Sequence, residues 1–483
     1  MTRENNWGRE MRLSVLSEED IEKIDKATVR ILRETGVAVY ERQSLDILEK
    51  HGASVDRNSS IARIPEKLLR ESLERAPKKF ALSSRDRSKS VKLGFGESYF
   101  TNSLQGVKVL DHMTGEIRPS LLSDVATFAR VVDFLDIVSF FGVTVVANDV
   151  PGEFHYLKEL ESAVKNTAKH VSHGCHGTNM AKGFVRIGQV IAGGDEELRN
   201  APVVSGLGCP VCPLQFDKAN TEAMVEFAKA GIPYDVLSMA MAGASSPISP
   251  AGTLVMINAE VLAGTTICEL FNPGCPIIYG SVASIMDMRT GVMALGAPER
   301  PVINSCVAEV ARHYGIPSLV GGISTDGKLP GEQVMMEKVM TGLPPLLAGS
   351  DIVFGLGLLC SGIAYSVEQL VIDSEVAGAL ARIKNSLKVD SESIALEAIE
   401  KAGPGGSFLG MRHTLERLRK DVWMPQLIDR NVYDNWLKLG AKDMKDKAKE
   451  KTIHILEEHE VKPLEKEQEQ EIRKILQECS RLR

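Results

Sequence analysis

Hydrophobic and polar positions change their spacing along the chain near residue 120. A capping pattern at Ser17 and Asp20 opens an amphipathic stretch with apolar residues at helical spacing, and Gly36 ends it. Two further helical patterns, "SLDILEKHG" and "IPEKLLRESLERAP", are followed by short β-like runs separated by turns. We therefore predict an N-terminal α+β cap over residues 1–120.

Beyond residue 120, short apolar runs alternate with segments of helical length. The runs that have the length of buried strands are 137–147, 169–174, 201–208, 234–240, 276–281, 317–322, 350–357 and 368–373. Eight strands separated by helices favour a closed α/β structure, the (β/α)8 or TIM barrel, over an open doubly wound sheet. We predict this barrel over residues 121–390 and a charged, helical C-terminal extension over residues 391–483, whose simplest interpretation is a solvated surface.

Composition and charge narrow the classes of function. Hydrophobic residues make up 43% and charged residues 25% of the chain, as in soluble globular proteins. The formal net charge of −7 disfavours nucleic acids and anionic membranes as partners. No apolar signal segment opens the sequence, and polar residues and prolines interrupt the stretch "MAMAGASSPISPAGTLVMINAEVLAGTTICELF". We therefore expect a cytoplasmic protein that does not span a membrane.

Histidine and cysteine residues raise the alternative of a zinc site. The eight cysteines are dispersed, which predicts reduced thiols, but His173 and Cys175 would share one face of a strand, and Cys209 and Cys212 form a CxxC pair. Because neither a second CxxC nor an HExxH motif is present, we predict that no metal is bound directly. His173 and His176 are instead candidates for hydrogen-bonding a substrate carboxylate.

The glycine-rich segment "GGISTDGKLPGEQ", residues 321–333, follows a predicted strand. Turns after barrel strands form the face on which catalytic residues lie, so Asp326 and Lys328 are candidate catalytic residues. The alternative is a turn whose two charges pair with each other or face solvent. A phosphate site is disfavoured because the chain has neither a P-loop nor a complete GxGxxG motif.

Aromatic residues are sparse, at 5% of the chain, and several fall near predicted strand ends or turns. Aromatic faces hold quaternary ammonium groups, although core packing is the alternative for any single ring. The candidate substrate-binding residues in this class, together with one polar residue, are Tyr99, Phe100, Gln105, Tyr279, Phe354 and Tyr365.

Several long motifs resemble the trimethylamine methyltransferase family. They are "VLDHMTGEIRPSLLSDVATFARVVDFLDIVSF", "GGISTDGKLPGEQ", "SVEQLVIDSEVAGAL" and "GPGGSFLGMRHTLERLRKDVWMPQLIDRNVYDNW", and the resemblance runs from about residue 15 to the C-terminus. It implies a (β/α)8 barrel that passes a methyl group from a methylamine to the cobalt of a separate corrinoid protein. The cobalt-ligating signature Asp-x-His-x-x-Gly is absent, since "DHMTG" has the wrong spacing. The cobalamin is therefore expected on a partner protein that docks over the barrel.

One departure from the family decides the substrate class that the resemblance implies. The trimethylamine enzymes carry pyrrolysine, and no such residue occurs in this chain. What is known of members without it implies demethylation of quaternary amines such as glycine betaine, with proline betaine, carnitine and γ-butyrobetaine as relatives. A quaternary nitrogen leaves without prior protonation, so substrate positioning suffices, with Asp326 beside the ammonium and Lys328 either anchoring the carboxylate or pairing with Asp326.

Three alternatives stay open at this point. The first is a zinc-dependent corrinoid methyltransferase that uses His173, Cys175, Cys209 and Cys212. The second is a barrel that binds a betaine or a partner protein without catalysis. The third concerns assembly, because the sequence leaves a homo-oligomer as an alternative to a monomer.

Overall fold

A closed barrel of eight parallel strands forms the centre of the computed structural model, which describes residues 10–385 and 387–481. In chain order the barrel strands are β1 Tyr99–Asn102, β2 Val138–Gly142, β3 Val171–Gly174, β4 Val204–Gly208, β5 Tyr234–Ser238, β6 Ile277–Ser281, β7 Ser318–Gly321 and β8 Ile352–Leu356. Each strand pairs with the next, and β8 pairs in parallel with β1 to close the barrel. The predicted α/β barrel is confirmed.

Seven of the eight predicted strand runs contain a barrel strand, and the eighth is wrong. Residues 368–373 belong to the helix Val367–Lys384, which the side chain of Ser366 caps by accepting a hydrogen bond from the Gln369 amide. A short apolar run does not by itself distinguish a strand from a buried helix. The remaining barrel strand is β1, which lies within the range predicted for the cap, so the proposed division into three domains stays a prediction.

Each barrel strand is followed by a helix on the outside of the barrel. These helices are Leu122–Phe134, His155–Asn166, Thr178–Ala192, Lys218–Ala230, Pro250–Phe271, Glu299–Tyr314, Glu332–Leu347 and Val367–Lys384, with a short helix Asp195–Asn200 before β4. Helix Pro250–Phe271 is long and apolar enough to cross a membrane by length and composition, but 83% of its most apolar window is buried inside the protein. It is therefore packed as a core helix.

The N-terminal segment packs against the outside of the barrel, and its last hairpin closes one end of the barrel. It consists of helices Glu18–Arg30, Arg42–Lys50 and Glu66–Arg75 and strands Val37–Val39, Ser54–Asp56, Ile61–Arg63, Phe80–Leu82 and Val91–Leu93. Leu82, Val91 and Leu93 of the last two strands pack into the apolar interior of the barrel. The Ser83 amide donates to the Pro202 carbonyl just before β4, which places this hairpin at the N-terminal ends of the strands. The opposite end, formed by the C-terminal ends of the strands, is called the mouth below.

Short strands around the mouth carry the loops of its rim. They are Lys108–Leu110, Ile117–Pro119, Gln215–Phe216, Met241–Ala242, Ser284–Asp287, Val292–Ala294, Leu358–Leu359 and Ala364–Tyr365. The helices of the C-terminal segment are Ser391–Ile394, Leu396–Ala402, Arg412–Asp421, Tyr433–Lys438, Met444–Glu458 and Lys466–Ser480. The last two bury one apolar face, including Ile455 and Ile472, so only their other face is a solvated surface.

Candidate active site

Side chains alternate between the inside and the outside of the barrel along each strand. The inward positions are identified by an apolar cluster inside the barrel that includes Phe140, Leu207, Leu237, Ile278 and Leu319. Their strand neighbours instead pack in the larger core between the barrel and its helices. This alternation assigns the residues of β3–β7 to one of the two sides, whereas irregular pairing interrupts it in β2 and β8.

Glycines take four inward positions, one each on β2, β3, β6 and β7. They are Gly142, Gly174, Gly280 and Gly321. The atoms nearest to a Cβ built on these glycines are, in the same order, Leu104 Cδ2 at 2.3 Å, Gln105 Nε2 at 3.0 Å, Asp235 Oδ1 at 2.0 Å and Arg300 Nη2 at 2.0 Å. Four longer side chains thus fill the places that larger strand residues would take, and three of these side chains are polar.

Asp235 is the second residue of β5 and points into the barrel. It is 2% exposed, and neither of its carboxylate oxygens has a hydrogen-bond partner among the described residues. Burial raises the pKa of this carboxyl well above its usual range. Burial also raises the pKa of the Cys209 thiol to about 12, and it raises the pKa of the Tyr234 phenol above its usual range. An unpartnered buried carboxyl is costly, and such groups cluster at functional sites.

Arg300 reaches into the mouth from the first turn of helix Glu299–Tyr314. Its side chain is almost completely buried, at 1% exposure, and the charge of Asp326 acts on the guanidinium without forming an ion pair within 4.0 Å among the described residues. Burial lowers the pKa of the guanidinium to about 10, so it stays charged at neutral pH. The barrel therefore holds a buried acid in its interior and a buried base at its mouth, and the two do not pair with each other.

The turn after β1 holds Gln105, one of the predicted binding residues. Gln105 has a φ of 58°, in the left-handed region, and its exposed side chain lies over Gly174 at the mouth. The Tyr365 hydroxyl donates to the Leu104 carbonyl at 3.0 Å and lies 2.8 Å from Ser103 Oγ. The buried Tyr365 thus supports the turn that carries Gln105.

The two residues predicted as catalytic lie on the rim. The carboxylate of Asp326 accepts hydrogen bonds from the amides of Leu295 and Gly296 at 2.8 and 2.9 Å and from Ser361 Oγ at 2.8 Å. Lys328 is exposed, and its Nζ donates to the backbone carbonyl of Asp326 at 2.6 Å. Asp326 therefore ties rim loops together, and Lys328 does not pair with its carboxylate. Their catalytic role stays a prediction.

The five aromatic candidates are not brought together, which corrects the expected aromatic pocket. Phe354 lies inside the barrel, and Tyr99 lies at the closed end, where its hydroxyl donates to Glu97 and accepts from the Lys92 amide. Phe100 and Tyr279 face the surrounding helices. The Tyr279 hydroxyl donates to Asn258 Oδ1 at 2.9 Å. Strand alternation explains this outcome, because a residue one position along points to the other side.

The predicted histidine and zinc residues also separate. His173 faces outward with its Nε2 3.0 Å from Glu159 Oε2, and His176 Nδ1 lies 3.0 Å from the Tyr156 hydroxyl on the same outer side. Cys175 packs in the outer core and Cys209 against the interior cluster. The four zinc candidates therefore do not converge. Within residues 10–385 and 387–481, no group of three or more His, Cys, Asp or Glu side chains is placed to hold a metal ion.

Comparisons with known proteins fit this geometry. The sequence profile of the family described as "Trimethylamine methyltransferase (MTTB)" matches residues 4–479. The trimethylamine methyltransferase MttB of Methanosarcina thermophila is 34% identical over 460 residues, which cover 94% of this chain and 95% of that protein. The glycine betaine methyltransferase of Desulfitobacterium hafniense (strain Y51) is 32% identical over 429 residues, which cover 88% of this chain and 89% of that protein.

Solved structures agree on the fold. The Methanosarcina barkeri monomethylamine methyltransferase MtmB has a TM-score of 0.52 and 11% identity, over 93% of this chain and 90% of that one. A barrel with buried charged groups at its mouth is the architecture of an enzyme, and this chain belongs to the trimethylamine methyltransferase family. The protein is a methyltransferase, as the sequence resemblance implied.

Proposed function

We propose that this methyltransferase moves a methyl group from a quaternary amine, with glycine betaine as the first expected substrate, to Co(I) of a separate corrinoid protein. The products are dimethylglycine and a methyl-Co(III) corrinoid. The observation that supports this proposal most strongly is the buried Asp235 carboxyl, which lies inside the barrel without a hydrogen-bond partner among the described residues. The related glycine betaine methyltransferase supports the choice of substrate. Proline betaine, carnitine and γ-butyrobetaine are the alternatives.

A quaternary ammonium suits Asp235 because of its chemistry. It carries a permanent positive charge but has no N–H group, so it interacts with a carboxylate by charge alone. In a buried site that attraction is screened little, and it compensates for the burial of the carboxylate. A tertiary amine such as trimethylamine must carry a proton for its nitrogen to leave, and that N–H group donates a hydrogen bond, so it does not interact with a carboxylate by charge alone.

Methyl transfer moves one bond and two electrons. The C–N bond of one methyl group breaks with its electron pair left on nitrogen, and the electron pair of Co(I) forms the bond to that carbon. The nitrogen loses its positive charge during this step, so Asp235 stabilises the bound substrate more than the transition state. We infer that Asp235 and Gln105 hold the substrate with one N–CH3 bond directed out of the mouth, where positioning provides the rate enhancement.

The corrinoid is a substrate that a partner protein carries, since methyltransferases of this family work with corrinoid proteins. The candidate segment "DHMTG" forms a hairpin turn in which Asp111 Oδ1 accepts from the amides of Met113 and Thr114, and Asp111 Oδ2 accepts from Arg118 Nε. Both carboxylate oxygens of Asp111 thus stabilise the turn. We propose that the partner docks over the mouth, in the cytoplasm, and delivers Co(I) to the exposed methyl group.

Methylation of the corrinoid protein tests the proposal. Under anaerobic conditions, we expect the enzyme to convert the Co(I) absorbance of the partner to that of methyl-Co(III) with glycine betaine or one of its relatives, and not with trimethylamine. The control is the corrinoid protein alone. Methylation by trimethylamine with no response to any betaine would contradict the proposed substrate. Tight binding of glycine betaine without methylation would favour the non-catalytic barrel.

We further propose that the chain forms a homo-oligomer through residues 387–443. Leu427 is the one buried residue in this segment, whereas large apolar side chains such as Leu409 (91% exposed), Val389 (72%) and Leu415 (72%) face outward. Apolar surface of this extent is typical of a contact with another protein chain. We expect light scattering after gel filtration to give a mass above the 52.6 kDa of one chain. We also expect Leu409→Asp with Leu415→Asp to lower that mass, and a monomeric wild type would contradict this.

A further inference from the structure

We propose that Arg300 selects the substrate by binding its carboxylate through the Nε and Nη2 edge of the guanidinium. This inference rests on the proposed function. It identifies Arg300 as the residue by which the enzyme binds betaines in preference to amines that lack an anionic group. Arg300 would be a specificity-determining residue that touches the part of the substrate farthest from the reacting methyl.

The guanidinium is fixed along one edge and free along the other. Its Nη1 donates to the carbonyl oxygens of Val282 and Ala283, at 2.6 and 3.2 Å, just beyond the end of β6. Its Nε is buried without a partner, and no described residue accepts a hydrogen bond from Nη2. Nε and Nη2 carry two parallel N–H groups, and a carboxylate accepts from such a pair with both oxygens. The free edge therefore matches a carboxylate in charge and in shape.

The position of the free edge is set by a glycine. A Cβ on Gly321 would lie 2.0 Å from Arg300 Nη2 and 2.8 Å from its Cζ, so the guanidinium occupies the inward position of β7. Asp235 occupies the inward position of Gly280 on β6, the strand next to β7. Gly280 is level with Leu319, two residues before Gly321. One acidic and one basic side chain thus lie over adjacent strands without pairing with each other. A zwitterion is the ligand that satisfies both.

A purely structural role for Arg300 predicts something different. Its bonds to Val282 and Ala283 stabilise the end of β6, but Nη1 alone makes them, and Asn304 Nδ2 also donates to the Ala283 carbonyl at 3.0 Å. Lysine keeps the charge and can reach such carbonyls, but it lacks the paired N–H groups of Nε and Nη2. Comparing Arg300→Lys with the wild type therefore separates carboxylate recognition from structural support.

Two substrates that share an ammonium group provide the test. Glycine betaine and choline both carry a trimethylammonium group, but choline has a hydroxyl in place of the carboxylate. We expect Arg300→Lys to lower kcat/KM for glycine betaine roughly 10- to 100-fold and to leave that for choline nearly unchanged. The matched control is Arg312→Lys on the same helix, where Arg312 Nη1 donates to the Ala348 carbonyl before β8. We expect this control variant to leave kcat/KM unchanged for both substrates. Equal losses for both substrates in Arg300→Lys would overturn the inference.

Titration calorimetry distinguishes a failure of this inference from a failure of the proposed function, because binding requires no corrinoid protein. If the wild type binds glycine betaine but transfers no methyl group, the proposed function fails. In that case the inference holds if Arg300→Gln weakens the binding of glycine betaine but not the binding of tetramethylammonium. It fails if both ligands lose affinity equally. If the wild type binds tetramethylammonium as tightly as glycine betaine, the role of Arg300 is refuted while methyl transfer can still stand. If it binds neither, both proposals fail.

Discussion

Replacing Asp235 with Asn is expected to raise KM for glycine betaine roughly 10- to 100-fold without lowering kcat. The variant removes a charge that attracts the ammonium, and this attraction weakens as the nitrogen loses its charge in the transition state. The measurement is steady-state methylation of the corrinoid protein at several betaine concentrations. A large fall in kcat with unchanged KM would contradict the binding role that we assign to Asp235.

The same variant should be more stable than the wild type. Because burial holds the pKa of Asp235 above its value in the unfolded chain, the unfolded state releases this proton first as the pH rises from about 4. The wild type therefore loses stability with rising pH over that interval, and Asp235→Asn does not. We expect a gain of about 0.5–2 kcal/mol in the free energy of unfolding at neutral pH.

Denaturant titrations at pH 5 and pH 7.5 measure this difference. The control is Asp136→Asn, which changes an exposed aspartate two residues before β2 and should alter neither stability nor KM. Substrate affinity gives an independent readout. The ammonium of glycine betaine favours the ionised form of the Asp235 carboxyl. The affinity of the wild type for glycine betaine should therefore rise with pH, and the affinity of Asp235→Asn should not. A wild type that is more stable than Asp235→Asn at pH 7.5 would show that the carboxyl has a structural partner.

Replacing Lys338 with Met is expected to destabilise the protein by about 3–5 kcal/mol. Lys338 and Asp373 form a fully buried ion pair, with Nζ 2.6 Å from Oδ2. Lys338 also donates to the Ile323 carbonyl after β7, and Asp373 accepts from the Gly357 amide after β8. The pair thus joins two barrel helices to two loops at the mouth, and removing the lysine leaves a buried carboxylate without its counter-charge.

The double variant Lys338→Met with Asp373→Leu separates loss of the pair from burial of a lone charge. It should be more stable than Lys338→Met alone, because no unpaired carboxylate remains. The matched control is Lys474→Met, which removes an exposed ion pair with Glu471 and should cost less than about 1 kcal/mol. Urea unfolding followed by circular dichroism measures all three variants. A loss below about 1 kcal/mol in Lys338→Met would contradict the expected role of the pair.

Much of the barrel was predictable because buried parallel strands form continuous apolar runs. Most of the strands show this signal, whereas β3 is "VSHG" and β1 consists of only four residues, "YFTN", that end in two polar ones. The run at 368–373 is apolar for another reason, since the helix Val367–Lys384 is buried on most of its sides. Run length and composition alone do not separate these cases.

The candidate site was less accessible to sequence reasoning. The signal for Asp235 was present, because it is the single charged residue in the strand run "YDVLSMA". Arg300 gave no such signal, since it begins an ordinary helix and reaches the mouth only through the folded arrangement of β6 and β7. The side of the barrel that Phe100 and Tyr279 face depends on strand register, and a shift of one residue reverses it. The glycine-rich loop at 321–333 was correctly placed at the mouth, and its roles in binding and catalysis are still predictions.

A crystal structure of the enzyme with glycine betaine is the most direct test of the proposed site. We expect the ligand in the mouth, with its ammonium against Asp235, its carboxylate oxygens about 3 Å from Nε and Nη2 of Arg300, and one methyl group facing solvent. A betaine bound outside the barrel, or one with its carboxylate directed away from Arg300, would contradict this.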